Sequence, residues 1–197
     1  MTFSPPALAQ GAAPSGEQIF ALCSQCHGSQ GEGSAAYAAP PIAGMEQWYL
    51  AKQLRKYKSG ARGNHASDHE GLKMRPMVRF LKTDEWVDNV AAYVAELPPK
   101  APQATLVGGD AERGKGLYAP CAACHGQAGE GVEATNGAPL AGLSDWYLYS
   151  SIEKFKSGIR GSDPADTDGA VMRGMAMILT DDQALKDVIA HIMTFPN

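Results

Sequence analysis

The motif Cys-x-x-Cys-His occurs twice in this chain, and the two occurrences together use all four of its cysteines. It reads CSQCH at residues 23–27 and CAACH at residues 121–125. Subtracting 23 from 121, or 27 from 125, gives an offset of 98 residues in both cases. Because each occurrence brings two thiols and an imidazole into one short stretch, the chain is predicted to hold two sites of the same chemistry.

The same offset relates residues far outside the motif. Identical pairs at this offset include Pro41/Pro139, Gly44/Gly142, Trp48/Trp146, Lys58/Lys156, Arg62/Arg160, Met74/Met172 and Met77/Met175. Agreement at a single offset over this length indicates an internal duplication. The sequence therefore predicts two homologous domains, over residues 15–97 and 113–197, with a linker rich in proline and glycine over residues 98–112.

Residues 1–14 are excluded from the predicted fold. Ala7, Leu8 and Ala9 resemble the small-residue cleavage site of a secretory signal, but the basic and apolar regions that should precede such a site are missing. A remnant of an export signal and a flexible Pro/Ala tail are both open interpretations. No run approaches the roughly 18 apolar residues of a membrane span, and no basic stripe accompanies the net charge of −4, so nucleic acid is not an expected partner.

Each copy shows three segments with helical periodicity. The first covers about 16–25 and 114–123, and the second contains the WYL sequences at 48–50 and 146–148. The third opens at Thr83 or Thr180, each predicted as the N-cap. No long alternation indicates a strand, so the predicted fold is all-α. Three short helices make a poor core in such a small domain, and a large apolar cofactor would complete it.

Three kinds of site use the Cys-x-x-Cys-His pattern. A thioredoxin-like redox motif should lie beside a βαβ unit, and it leaves the histidine unexplained. A zinc site needs four ligands, but each copy offers only three. Attachment of haem c uses every residue, because two thiols form thioethers to the haem and the histidine binds the iron. We therefore predict two covalent haem c groups, held by Cys23, Cys26 and His27, and by Cys121, Cys124 and His125.

The second axial ligand of each iron should obey the repeat. Two methionine pairs recur, and Met74 and Met172 are favoured because Met77 and Met175 lie closer to the third helix. The remaining candidates are predicted to be packing or solvated residues, namely Met45, Met177, Met193, His65, His69 and His191. Methionine ligation raises the reduction potential, and an iron with both axial positions filled has no open site for a substrate.

The chain resembles the cytochrome c4 family over about residues 16–196. The resemblance is carried by the paired Cys-x-x-Cys-His motifs, the PIAG and PLAG turns, WYLAKQLRKYKSG, and the MRPM…LKTDE and MRGM…LTDDQ stretches. It implies two tandem class I cytochrome c domains related by a pseudo-twofold axis, with the haem propionates near the domain interface. The first methionine of the last two stretches matches the axial ligand of the family, in agreement with Met74 and Met172.

Further residues are expected around the haems. In small c-type cytochromes a proline carbonyl accepts from the axial histidine, and Pro41 and Pro139 resemble that proline; a plain turn proline is the other interpretation. Arg62 and Arg160 are either propionate partners or surface residues, and Trp48 and Trp146 either pack near the haem edge or anchor the second helix. The family's usual glutamine after the AG turn is Met45 or Leu143 here, which puts the interface hydrogen bonds in question.

These features predict a periplasmic one-electron carrier. The expected donor is a quinol-cytochrome c oxidoreductase or a dehydrogenase, and the expected acceptor is a haem-copper terminal oxidase. A di-haem enzyme, such as a peroxidase or a thiosulfate dehydrogenase, is the alternative, together with a fixed or membrane-associated subunit of a respiratory complex. An enzyme needs one open or unusually ligated haem, whereas this sequence retains both methionine positions.

Overall fold

The computed structural model describes residues 12–196, in which eight α-helices and two 3-10 turns account for the regular structure. The helices are α1 (Gly16–His27), α2 (Gln47–Ser59), α3 (His69–Val78), α4 (Asp84–Glu96), α5 (Ala111–His125), α6 (Asp145–Lys156), α7 (Thr167–Ala176) and α8 (Asp182–Ile192). Within these residues no strand occurs, and the only β-type pairings are two isolated bridges, Ser34–Ala39 and Val132–Gly137. The all-α prediction is confirmed. Most of the predicted N-terminal tail lies outside the described residues.

Each copy has four helices, so the prediction of three was incomplete. The missed helices, α3 and α7, are short and carry the two predicted methionine ligands. Pro76 near the end of α3 and Gly174 in α7 concealed the helical pattern. Both helices begin at a buried aspartate, Asp68 or Asp166, whose side chain accepts from a backbone N–H of the first turn.

The N-cap prediction for the last helix of each copy was right once and wrong once. The Thr83 hydroxyl accepts from the Trp86 N–H at 3.3 Å, as predicted. In the second copy the cap is Asp181 rather than Thr180, and its carboxylate accepts from the Ala184 N–H at 2.8 Å. Adding the offset of 98 to residue 83 gives 181, so the duplication itself indicates the correct residue.

Two separate cores support the two copies. In each copy the first and last helices pack together, α1 against α4 and α5 against α8. Gly16 and Gly114 lie at these contacts, and a Cβ added at Gly114 would stand 1.9 Å from the Asp187 carbonyl oxygen. The absence of a side chain at this position therefore permits the close approach of α5 to α8.

This close approach predicts opposite effects for two glycines of α5. Gly114→Ala is expected to destabilise the second copy by about 3 kcal/mol or more, because the new methyl group forces the helices apart. Gly116 is exposed, and a Cβ added there would have no heavy atom within 4 Å, so Gly116→Ala is expected to stabilise α5 by up to roughly 1 kcal/mol. Urea unfolding of the holoprotein, followed by circular dichroism, measures both. Equal effects of the two substitutions would contradict the proposed role of Gly114.

The linker is exposed along much of its length but is fixed to the second copy near its middle. The Asp145 carboxylate at the start of α6 accepts from the backbone N–H groups of Thr105 and Leu106 and from the Thr105 hydroxyl at 2.9 Å. Burial alone would raise the pKa of Asp145, but these hydrogen bonds lower it.

In the described part of the chain, no helix is both long and apolar enough to cross a bilayer.

Candidate functional site

The last turns of α1 and α5 present the two Cys-x-x-Cys-His motifs. His27 is the final residue of α1 and His125 the final residue of α5, and each helix ends at a glycine with positive φ, Gly28 or Gly126. None of the four cysteines is in a disulfide, and all four are partly buried. Each helix end thus places two thiols and one imidazole within two turns, as the attachment of a haem requires.

Both histidines are held in one tautomer by the backbone. The Nδ1–H of His27 donates to the Pro40 carbonyl at 2.8 Å, and that of His125 donates to the Ala138 carbonyl at 2.7 Å. Burial lowers the pKa of both imidazoles and so favours their neutral form. Because a carbonyl only accepts, Nε2 of each ring keeps a free lone pair, which is the donor that an iron ion binds.

The predicted acceptors, Pro41 and Pro139, were wrong by one residue. The carbonyls that accept belong to the residues before these prolines, Pro40 and Ala138. A proline favours an extended conformation in the residue that precedes it, which explains why the preceding carbonyl is the one presented to the ring. In the second copy this residue is alanine, so the hydrogen bond requires a backbone carbonyl and not a proline.

The thiols lack the character of a redox-active pair. Burial raises the pKa of Cys23 to about 11 and also raises that of Cys121. Reactive cysteines in thioredoxin-like motifs have lowered pKa values, because the thiolate is the nucleophile. The microenvironment of the motif therefore disfavours the disulfide-exchange interpretation.

A cavity of about 360 Å³ adjoins the first motif. Cys23, Cys26, His27 and Met74 line it, and most of its remaining wall is apolar, with Leu54, Tyr57, Val78, Leu81 and Val90. Met74 also packs against the core of the first copy, and Met172 packs against the core of the second. An apolar cavity with one imidazole and one thioether suits a flat, largely apolar cofactor that binds iron.

The competing ligand candidates are less well placed. Met77 lines the same cavity but is 38% exposed, and Met177 is 58% exposed. His65 and His69 are exposed, whereas His191 packs edge-on against Tyr118 and Phe195. The surroundings of these residues account for them as packing or surface residues.

Arg62 occupies the boundary between the two copies. Its Nη atoms donate to the Gln53 side chain at 2.8 Å and to the Tyr147 hydroxyl of the other copy at 2.9 Å. Its buried Nε has no hydrogen-bond partner. Arg160 stacks over the Phe155 ring, as Arg62 stacks over Tyr57. A shielded guanidinium with an unused donor fits a carboxylate of the cofactor, and a haem propionate supplies one.

The pKa of the Tyr147 hydroxyl is lowered by the positive charge of the two arginines at this boundary. Burial alone would raise the pKa of Tyr147, but the guanidinium groups of Arg62 and Arg160 lower it to about 7. The two arginines therefore create a site that favours a negative charge at the interface, in agreement with the fit of propionates there.

Both tryptophans stack edge-on against the tyrosine that follows them. The distance between the ring centroids is 5.6 Å for Trp48 and 5.9 Å for Trp146. Trp146 also lines the cavity of the opposite copy, together with Leu143, whereas Trp48 is not among the residues that line that cavity. Met45 packs against the core of the second copy. The two positions that depart from the family's glutamine, Met45 and Leu143, thus make apolar contacts across the interface.

Ion pairs between the copies were not predicted from the sequence. Lys56 binds Asp166 and Asp168, and Lys154 binds Asp68 and Glu70. The offset of 98 was a usable signal, because it relates Lys56 to Lys154 and each acidic pair to the other. Lys52 adds contacts to Asn136 and Asp168 that have no counterpart, since Ser150 stands at the equivalent position.

Comparisons with known proteins agree with this architecture. The Cytochrome c family profile matches residues 13–98 and 111–196. A "Thiosulfate dehydrogenase electron acceptor" of Stutzerimonas stutzeri is 35% identical over 184 residues, covering 86% of this chain and 78% of the relative. A "Cytochrome c4" of Azotobacter vinelandii is 31% identical over 191 residues, covering 92% and 87%. The crystal structure of reduced recombinant cytochrome c4 from Pseudomonas stutzeri matches with a TM-score of 0.74 and 26% identity, covering 94% of this chain and all of that one.

The duplicated helical fold and its two Cys-x-x-Cys-His sites define a tandem haem c protein that transfers electrons. The chain belongs to the cytochrome c family and, within it, to the di-haem cytochrome c4 family. Its cofactors are two covalently bound haem c groups.

Proposed function

We propose that one haem is held by Cys23, Cys26, His27 and Met74. Cys121, Cys124, His125 and Met172 hold the other. In each set the cysteines form the thioethers, and the histidine and methionine are the axial ligands. The bound haem supplies a reversible one-electron couple at the iron. The corresponding division of the chain is a first haem domain over residues 15–97, a linker over 98–112 and a second haem domain over 113–197.

In this assignment, neighbouring groups of the protein fix the orientation of the iron ligands in advance of electron transfer. The Pro40 and Ala138 carbonyls fix the imidazole tautomers, and in the first copy a largely apolar wall would surround the haem. Arg62 and Arg160 would bind the haem propionates through charge-assisted hydrogen bonds. Because both axial positions of the iron would stay filled in either oxidation state, little reorganisation should accompany electron transfer.

We infer that the protein carries single electrons in the periplasm from a dehydrogenase or a quinol-cytochrome c oxidoreductase to a haem-copper terminal oxidase. The observation that carries this proposal is that each copy has a buried histidine and a methionine that packs on its core, and in the first copy both line one cavity. Two filled axial positions favour outer-sphere electron transfer over the di-haem enzyme alternative. The name of the S. stutzeri relative supports thiosulfate dehydrogenase as the donor.

The test follows the electrons through the purified holoprotein. We expect both ferric haems to show the red charge-transfer band of methionine ligation and neither ferrous haem to bind carbon monoxide. We expect thiosulfate with a thiosulfate dehydrogenase to reduce both haems, and a terminal oxidase to reoxidise them. Thiosulfate without the dehydrogenase is the control. Reduction in that control, or carbon monoxide binding at one haem, would favour the enzyme instead.

A further inference from the structure

The two helices that carry the proposed methionine ligands each begin at an aspartate that is bound by the opposite copy. Lys56 in α2 donates to Asp166, the N-cap of α7, at 2.5 Å. Lys154 in α6 donates to Asp68, the N-cap of α3, at 2.6 Å. We call these two pairs the crossed lysine contacts, because each lysine reaches the methionine helix of the other domain.

In each pair, one carboxylate oxygen of the aspartate accepts both the hydrogen bond from the lysine and the hydrogen bond that caps the helix. Oδ1 of Asp166 accepts from Lys56 and also from the Gly169 N–H at 3.1 Å. Oδ1 of Asp68 accepts from Lys154 and also from the Gly71 N–H at 3.2 Å. A movement of either carboxylate therefore disturbs the helix start and the domain contact together.

These contacts are shielded from solvent, which strengthens them. The Lys56 and Asp166 side chains are 12% and 7% exposed, and those of Lys154 and Asp68 are 16% and 4% exposed. Hydrogen bonds between charged groups are stronger than neutral ones, and removing one partner leaves a buried charge uncompensated. The loss of a lysine should consequently pull the cap carboxylate towards water and away from its helix.

The helices at stake are short. α3 and α7 have ten residues each, a length at which a helix in water is marginal without stabilising contacts. Met74 and Met172 each lie six residues after the capping aspartate. The first turn and the methionine therefore belong to the same small cooperative unit.

We propose that Lys56 and Lys154 are positioning residues for the axial methionine of the opposite domain. Lys56 holds the start of α7 and thereby Met172, and Lys154 holds the start of α3 and thereby Met74. The inference rests on the proposed assignment of these methionines as ligands. It means that methionine ligation in each domain depends on contact with the other.

The test is Lys56→Met in the full-length holoprotein, with Lys154→Met as its mirror. For Lys56→Met we expect amide exchange in α7 to accelerate about tenfold or more, because the charge-assisted hydrogen bonds of Lys56 to Asp166 and Asp168 are both lost and one such bond already corresponds to about that factor. We expect the axial-methionine methyl resonance of the second haem to broaden or disappear, while α3 and the first haem stay unchanged. Lys154→Met should reverse the pattern. Met172→His identifies which resonance belongs to the second haem.

Arg55→Met is the matched control. Arg55 precedes Lys56 in α2 but pairs with Asp84 and Asp88 of its own copy, so its loss should leave α7 unaffected. Lys56→Arg should restore wild-type exchange and methionine ligation, and it also serves if Lys56→Met folds poorly. Equal acceleration in α3 and α7, or none in α7, would overturn the proposal. Absence of a methionine resonance in the wild-type protein would instead overturn the ligand assignment.

Discussion

Met172→His lowers the reduction potential of one haem by roughly 0.2–0.3 V and leaves the other near its original value; this is the expected result if Met172 is an axial ligand. The thioether of methionine is a weaker donor than imidazole and stabilises ferrous iron. Exchanging it for a second imidazole therefore stabilises the ferric state of that haem alone. A spectroelectrochemical titration should resolve two one-electron steps that are farther apart than in the wild-type protein.

The discriminating control is Met175→His, since Met175 is the other recurring methionine of the second copy. It should leave both potentials and the charge-transfer band of each haem almost unchanged. If Met175→His produces the large drop and Met172→His does not, the ligand is Met175, and Met77 replaces Met74 by the repeat. This one pair of variants therefore identifies the axial methionine of the second domain and, by the repeat, that of the first.

Much of this structure follows from local sequence and from the duplication. The all-α class and the placement of each histidine at a helix end depend on contacts within a few residues of the motif. The N-cap at Asp181 could also have been predicted from the sequence, because adding the offset of 98 to Thr83 gives residue 181. The error at Thr180 came from judging a capping residue by type alone, when both neighbours are able to cap a helix.

Other features depend on contacts between distant parts of the chain. The acceptors at Pro40 and Ala138 were missed because a loop conformation, not a side chain, decides which carbonyl faces the imidazole. Lys56 looks like an ordinary exposed helix residue in sequence, and only the packing of two domains brings it to Asp166. Helices α3 and α7 depend on those aspartates as much as on their own weak periodicity.

The haem should be as important to folding as to electron transfer, and removing one attachment site tests this directly. Cys23→Ala with Cys26→Ala is expected to give a protein with one covalent haem and an unfolded first domain. The largely apolar walls of the cavity of about 360 Å³ would then lose their contacts with the haem and be exposed to water. A whole domain is usually stable by only about 5–15 kcal/mol, so losing its contacts with the haem leaves the first domain with little or no stability.

The pyridine haemochrome of the double variant should fall to half the wild-type value per chain, and amide exchange in α1 and α4 should approach that of an unfolded chain. The mirror variant, Cys121→Ala with Cys124→Ala, should transfer the loss to α5 and α8. Because each copy has its own core, the domain that keeps its haem should retain protection in its first and last helices. Protected α1 and α4 without a first haem would mean that the apolar core alone is sufficient to fold this domain.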